Sequence, residues 1–120
     1  MSKIDHILSG HVYTFVSSAL KDNPYNYLEI GVFNGAGFAD VAAQFPKKRC
    51  YAVDPFIEDG HTQAQTKVSQ GHSLPLQQAS AFAHIEELKN AEIFVTTSEA
   101  YRASLTQDLI TQLNIGVVLI

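Results

Sequence analysis

The fold of this chain is predicted by one segment, Tyr27-Leu-Glu-Ile-Gly-Val-Phe-Asn-Gly-Ala-Gly37. The segment begins as an apolar run, which is typical of a buried strand, and then places glycines at positions 31, 35 and 37. Residues 38–45 follow with helical character. A strand, a glycine turn and a helix in this order are typical of the start of an α/β nucleotide-binding domain. Glycines allow a sharp turn and let a ligand approach the main chain.

Glu29 is the exception within the apolar run. A carboxylate in such a strand is costly unless it is hydrogen-bonded. We therefore expect Glu29 either to brace the glycine turn or to hold a ligand.

The rest of the chain alternates between helical and strand patterns. We expect helices over 3–20, 38–45, 75–89 and 98–113, strands over 26–31, 49–54, 91–96 and 114–120, and a long loop over 57–73. The apolar face of the first helix is predicted to contain Ile4, Leu8, Val12, Phe15 and Ala19. The last helix is predicted to start at Ser98 as its N-cap and to have one face of Tyr101, Leu105, Leu109 and Leu113.

This order predicts a Rossmann-like α/β fold, a doubly wound parallel sheet between two helical layers. Residues 1–120 are expected to form a single domain that is incomplete after the fourth strand, because the segment 117–120 is fully apolar and would lie at an open sheet edge. We expect either that the chain is the N-terminal portion of a larger domain or that a partner chain, as in a homo-oligomer, covers this edge.

Composition excludes several classes of protein. The net charge of −4 and the lack of a basic cluster beyond 47–49 argue against nucleic acid as a partner. No apolar run approaches the roughly 20 residues that cross a bilayer, and the N-terminus lacks the pattern of a signal peptide. A single cysteine, Cys50, suits a reducing compartment, so we expect a cytoplasmic location.

A second acid, Asp54, ends the second predicted strand. Ligands of doubly wound sheets bind at the carboxyl ends of the strands, where an acid typically accepts hydrogen bonds from ribose hydroxyls. The glycine spacing, Gly31-x-x-x-Gly35-x-Gly37, differs from the Gly-x-Gly-x-x-Gly fingerprint of dinucleotide-binding proteins. The pattern therefore favours a ribose-containing ligand other than NAD.

The combination of Glu29-Ile-Gly31-x-x-x-Gly35 with Tyr51-Ala-Val-Asp54-Pro-Phe56 resembles motifs I and II of class I S-adenosylmethionine-dependent methyltransferases, in particular a small O-methyltransferase-like family. The resemblance covers nearly the whole chain. It implies methyl transfer from S-adenosyl-L-methionine to a small-molecule substrate, with this chain carrying the cofactor-binding half.

The resemblance also implies roles for single residues. The glycine turn would line the methionine part of the cofactor, Asp54 would hold the ribose hydroxyls, and Phe56, Ser98 and Glu99 would lie at the adenine. The implied cofactor-binding residues are Glu29, Gly31, Phe33, Asn34, Gly35, Gly37, Asp54, Pro55, Phe56, Ser98 and Glu99. Relatives of the catechol type often have serine where Gly37 stands, so the cofactor carboxylate would need another donor here.

The substrate side of the family follows the fourth strand, so the resemblance assigns no catalytic base and no metal ligand to residues 1–120. His61 and His72 share the long loop, but their spacing is not that of a regular metal site, and solvated loop histidines are the expectation. Two alternatives remain at this point. One is a nicotinamide oxidoreductase, and the other is a non-catalytic remnant or interaction module that keeps the fold.

Overall fold

The computed structural model describes residues 3–32, 34–56 and 74–120. The described residues form four strands and five helices. The strands are β1 (Asn26–Ile30), β2 (Cys50–Val53), β3 (Ala91–Phe94) and β4 (Ile115–Leu119). The helices are α1 (Lys3–Lys21), α2 (Ala36–Gln44), α3 (Leu74–Ile85), α4 (Ser98–Ser104) and α5 (Gln107–Leu113).

The four strands form one parallel sheet in the order β3-β2-β1-β4. The chain moves from β1 through β2 to β3 at one side of the sheet and then crosses to β4 on the other side of β1. Ligands of open α/β sheets bind where the strand order reverses in this way, outside the carboxyl ends of the strands. The prediction of a Rossmann-like, doubly wound α/β fold is confirmed.

One face of the sheet, which we call the first face, packs against α1, α2 and α3. The Tyr27 ring of β1 stacks on Phe38 of α2 with centroids 6.3 Å apart, and Ala81 and Ile85 of α3 belong to the same buried cluster. Because side chains alternate along a strand, the first face also carries Glu29.

The opposite face, the second face, packs against α4 and α5. Here the rings of Tyr51 and Phe94 stack at 6.3 Å, and Phe94 lies 5.2 Å from the ring of Tyr101 on α4. A cavity of about 280 Å³ lies between this sheet face and the two helices. Its apolar walls include Phe94, Tyr101, Leu109 and Leu113.

Helix α1 has the predicted length, but from residue 12 onward it buries a different side from the one predicted. The side chains of Ile4 and Leu8 lie outside the described part of the structure. Val16 and Leu20 lie in the core, whereas Val12 and Ala19 are exposed and Phe15 is 75% exposed. The apolar pattern is present, but the position of the sheet selects the side that contains Val16 and Leu20.

Helix α3 ends at Ile85 rather than near position 89. Asn90, which follows this segment, donates its side-chain amide to the carbonyls of Ala42, Phe45 and Lys48 at 2.9, 3.0 and 2.9 Å. This side chain therefore ties the start of β3 to the end of α2.

The predicted helix over 98–113 is wrong, because it is two helices separated at Leu105, whose backbone is extended (φ −80°, ψ 129°). Thr106 accepts a hydrogen bond from Leu109 N at 3.1 Å and caps α5. The cap of α4 is Thr97, which accepts from Ala100 N at 3.0 Å, so Ser98 is a helical residue and not the cap. A threonine side chain that bonds nearby main chain competes with helix continuation, which accounts for the break.

Candidate functional site

The glycine turn follows β1, and its first residue is Gly31. Gly31 has φ +84°, which glycine adopts without strain, and its N–H donates to Val53 O at 2.8 Å. A Cβ placed on Gly31 would meet no atom of the described residues within 4 Å. At this position the main chain is accessible to a ligand.

The other two glycines contact helices of the protein itself. A Cβ on Gly35, which has φ +83°, would lie 2.6 Å from the Cα of Ala81 on α3. A Cβ on Gly37 would overlap the ring of Tyr13 on α1. Gly35 and Gly37 therefore allow α3 and α1 to approach the turn closely.

Asn34 closes the turn by a local hydrogen bond. Its Oδ1 accepts from Ala36 N at 3.1 Å, and Gly35 N donates to Val32 O at 2.8 Å. The side chain of Asn34 thus satisfies one of the first main-chain N–H groups of α2, which lack partners within the helix.

Asp54 joins the ends of the two central strands. Its Oδ2 accepts from Val32 N at 3.0 Å, and its Oδ1 accepts from Phe56 N at 2.8 Å. The half-buried carboxylate therefore lies directly beside the glycine turn. A carboxylate has about four acceptor positions, so a carboxylate can accept hydrogen bonds from hydroxyl donors as well as from main-chain N–H groups.

Glu29 lies in the core and not at the surface of the turn. It is 1% exposed, and its two oxygens accept from Tyr27 Oη at 2.6 Å and from Tyr13 Oη at 2.8 Å. Burial raises the pKa of this carboxyl group, and the two hydroxyls oppose that change by stabilising the charged form. Of the two expected roles, bracing by hydrogen bonds is observed, but the partners are tyrosines rather than the main chain of the turn.

Tyr13 and Tyr27 were not singled out from the sequence. Tyr27 could have been, because residues two apart share one face of a strand and Glu29 requires a donor. Tyr13 has no such local signal, since it lies sixteen residues from Glu29. Burial raises the pKa of both phenols, and the neighbouring Glu29 carboxylate raises them further.

The segment after Asp54 turns the Phe56 ring into the core. Phe56 has φ +50°, which is rare for a bulky residue, and it is 7% exposed within the cluster beneath the first face. The bond from its N–H to Asp54 holds this conformation. The half-buried Pro55 between them stays at the carboxyl edge of β2. A ring buried in this way offers little surface for stacking on adenine.

Ser98 and Glu99 open α4 and are exposed. They follow β3, which is next to β2, so they lie toward the same carboxyl edge of the sheet as Asp54. Among the described residues, no hydrogen bond links them to the glycine turn. Phe33, His61 and His72 lie outside the described residues.

In the described part of the chain, no cluster of three or more histidine, cysteine, aspartate or glutamate side chains is arranged to hold a metal ion. No helix in the same part combines the length and apolar character that a membrane span requires. The chain matches no protein-family model and no curated protein.

The residues at the carboxyl ends of β1 and β2 fit an adenosyl ligand only in part. Open main chain at Gly31 and the Asp54 carboxylate beside it fit a ligand that presents hydroxyl groups to an acid at a glycine turn. Phe56 does not fit the expected contact with adenine, because its ring is buried. The fit therefore depends on Gly31 and Asp54 together with the exposed start of α4.

Proposed function

We propose that the chain carries the cofactor-binding part of an S-adenosyl-L-methionine-dependent methyltransferase that acts on a small molecule. The observation that carries this proposal is the hydrogen bond from Val32 N to Asp54, which brings an acid to the glycine turn. Both groups lie at the carboxyl edge of the two central strands, where such sheets bind ligands.

In this proposal Gly31 offers its main chain to the methionine part of the ligand. Asp54 accepts hydrogen bonds from the ribose hydroxyls while it keeps its two main-chain bonds. Ser98 and Glu99, at the exposed start of α4, contact the adenine edge. The residues of this chain thus bind and orient the ligand, and we assign no catalytic base among them.

The bound cofactor would supply a methyl group made electrophilic by a sulfonium sulfur. Transfer of that group to an acceptor needs alignment and exclusion of water rather than covalent participation by the protein. Close contacts with α1 and α3 on two sides of the turn suit this task, because they favour one position of the turn.

Calorimetry with S-adenosylhomocysteine and with NAD tests the proposal. We expect binding of the former and none of the latter. Asp54→Ala should weaken binding by roughly 1–3 kcal/mol, because hydrogen bonds to a charged group are lost. Asp22→Ala, which removes an exposed acid at the end of α1, is the matched control and should bind like the wild type. Unchanged affinity in Asp54→Ala would refute the ribose assignment.

A non-catalytic module is the second candidate, and one observation favours it. Both oxygens of Asp54 are bonded by main-chain N–H groups, and the space at Gly35 and Gly37 is taken by α3 and α1. Under this alternative these residues serve the fold alone. A folded wild type that binds neither nucleotide, and an Asp54→Ala variant that only loses stability, would establish it.

A further inference from the structure

Tyr13 on α1 contacts both elements that flank the glycine turn, the strand β1 before it and the helix α2 after it. Its hydroxyl donates to Glu29 Oε2 at 2.8 Å, on the strand that precedes the turn. Its ring lies against Gly37, on the helix that follows the turn. One side chain of a third element therefore connects the two ends of the turn.

The connection on the strand side is held firmly. Glu29 is almost fully buried, and its other oxygen is occupied by Tyr27 Oη at 2.6 Å. Tyr27 is itself fully buried and stacked on Phe38 of α2. Both oxygens of the Glu29 carboxylate therefore accept a hydrogen bond, and the position of Oε2 determines where the Tyr13 hydroxyl lies.

The connection on the helix side depends on a missing side chain. Only glycine at position 37 leaves room for the Tyr13 ring, and the ring then limits how α2 can move relative to β1. Two main-chain hydrogen bonds lie close to these contacts. Gly35 N donates to Val32 O at 2.8 Å, and Ala39 N donates to Gly35 O at 2.9 Å.

We propose that Tyr13 is a positioning residue of the ligand site, which fixes the glycine turn by linking the buried Glu29 to the start of α2. The identity of the ligand rests on the function proposed above, whereas the effect on the turn does not. Removing the Tyr13 hydroxyl should therefore loosen the turn first and weaken ligand binding as a consequence.

Tyr13→Phe tests this directly, because it removes the hydroxyl and keeps the ring against Gly37. Amide hydrogen exchange should become faster at Gly35 and Ala39. The amide of Cys50 should keep its wild-type rate, because it lies at the amino-terminal end of β2, away from the turn, and donates to Asn90 O. Affinity for S-adenosylhomocysteine should fall about tenfold, the size expected for one hydrogen bond to a charged group.

Tyr25→Phe is the matched control, since Tyr25 is an exposed tyrosine at the opposite, amino-terminal end of β1. It should leave exchange and affinity unchanged. If Tyr13→Phe accelerates exchange equally at Gly35 and Cys50, the residue contributes only to global stability and the proposal is overturned. Unchanged exchange at Gly35 and Ala39 overturns it as well.

The two proposals fail in different ways. If the wild type binds no adenosyl ligand but Tyr13→Phe still loosens only the turn, the proposed function fails and the positioning role stands. If the wild type binds and Tyr13→Phe binds equally well with an unaltered turn, the positioning role fails and the proposed function stands.

A measurement on the wild type alone covers the case in which the variant does not fold. Carboxyl ¹³C NMR should show Glu29 titrating above the ordinary value of 4.5, since burial is the main cause and the nearby Asp54 charge acts in the same direction. Among the described residues, Asp40 on α2 is a further charge near the cluster, and it acts on Tyr13. In the wild type the hydroxyl proton of Tyr13 should also exchange slowly with solvent, because it is bonded to the buried Glu29 carboxylate. A rapidly exchanging hydroxyl proton would mean that this bond is absent, and it would overturn the proposal.

Discussion

The first and second faces of the sheet differ in how completely their side chains are removed from water. On the first face, Tyr27, Phe38 and Cys50 are fully buried. None of the residues in α4 and α5, all of which the structure describes, is buried. The two layers of one α/β unit therefore contribute unequally, and most of the hydrophobic stabilisation should come from α1, α2 and α3, because this stabilisation scales with buried apolar area.

The same asymmetry locates the candidate site. The glycine turn is supported by α1 through Tyr13 and by α3 through Ala81, both on the first face. The second face contributes the exposed start of α4 and the cavity beside Phe94. The first face is closely packed beneath the glycine turn, whereas the helices of the second face bury no residue. We therefore expect the position of a bound ligand to depend mainly on the first face.

The largest expected effect comes from matched truncations on the two faces. Phe38→Ala should cost about 3–5 kcal/mol of unfolding free energy, because a fully buried ring is replaced by a cavity. Phe94→Ala should cost clearly less, because that ring is only half-buried. Urea denaturation of both variants measures the difference. Equal losses would contradict the asymmetry.

A smaller effect is expected at the break between α4 and α5. Thr106→Ala removes the cap of α5 and should cost about 1 kcal/mol. Thr111→Ala, an exposed threonine in the same helix, serves as the control, although its hydroxyl donates to Gln107 O. Urea denaturation should place Thr106→Ala well below Thr111→Ala in stability. If the two variants were equally stable, the cap would not determine the start of α5.

The smallest effect is a dependence of stability on pH, which we expect from the buried carboxyl group of Glu29 on the first face. Because the pKa of Glu29 is raised in the folded state, its contribution to stability is fully present below the ordinary value of 4.5 and is lost as pH rises through the folded value. Glu29→Gln lacks this loss, so the wild type should lose stability relative to the variant as pH rises above the ordinary value of 4.5.

The control for that experiment lies on the second face. Glu92 on β3 is exposed, and Glu92→Gln should follow the wild-type stability curve across the same pH range. The measurement is the free energy of unfolding in urea at several pH values. Parallel curves for Glu29→Gln and the wild type would argue against a buried, ionisable Glu29.

Local patterns predicted the elements that surround the site. Apolar runs located all four strands, and helical repeats located the first three helices. The end of α3 was placed too late, because the helix is followed by a turn in which Leu88 N donates to Ile85 O. The local patterns also placed Asp54 at the carboxyl end of β2, where the structure bonds it to Val32 N. These predictions succeed because strand and helix periods depend on neighbouring residues.

Other features depend on contacts between distant residues and were out of reach. The apolar face of α1 that contains Phe15 looked like core, but the sheet contacts the side with Val16 and Leu20. The resemblance placed Phe56 at a ligand, whereas its side chain belongs to the buried core cluster. The repeat over 98–113 predicted one helix, and only the cap at Thr106 divides it.

The sequence by itself determined the α/β order, the glycine turn and the acid that follows β2, because each is encoded within a few adjacent residues. Only the tertiary structure decided that Gly35 and Gly37 accommodate α3 and α1, and that Glu29 is held by two tyrosines. The physical reason is that these outcomes require packing between elements that are far apart along the chain, and the local pattern carries no information about which surfaces meet.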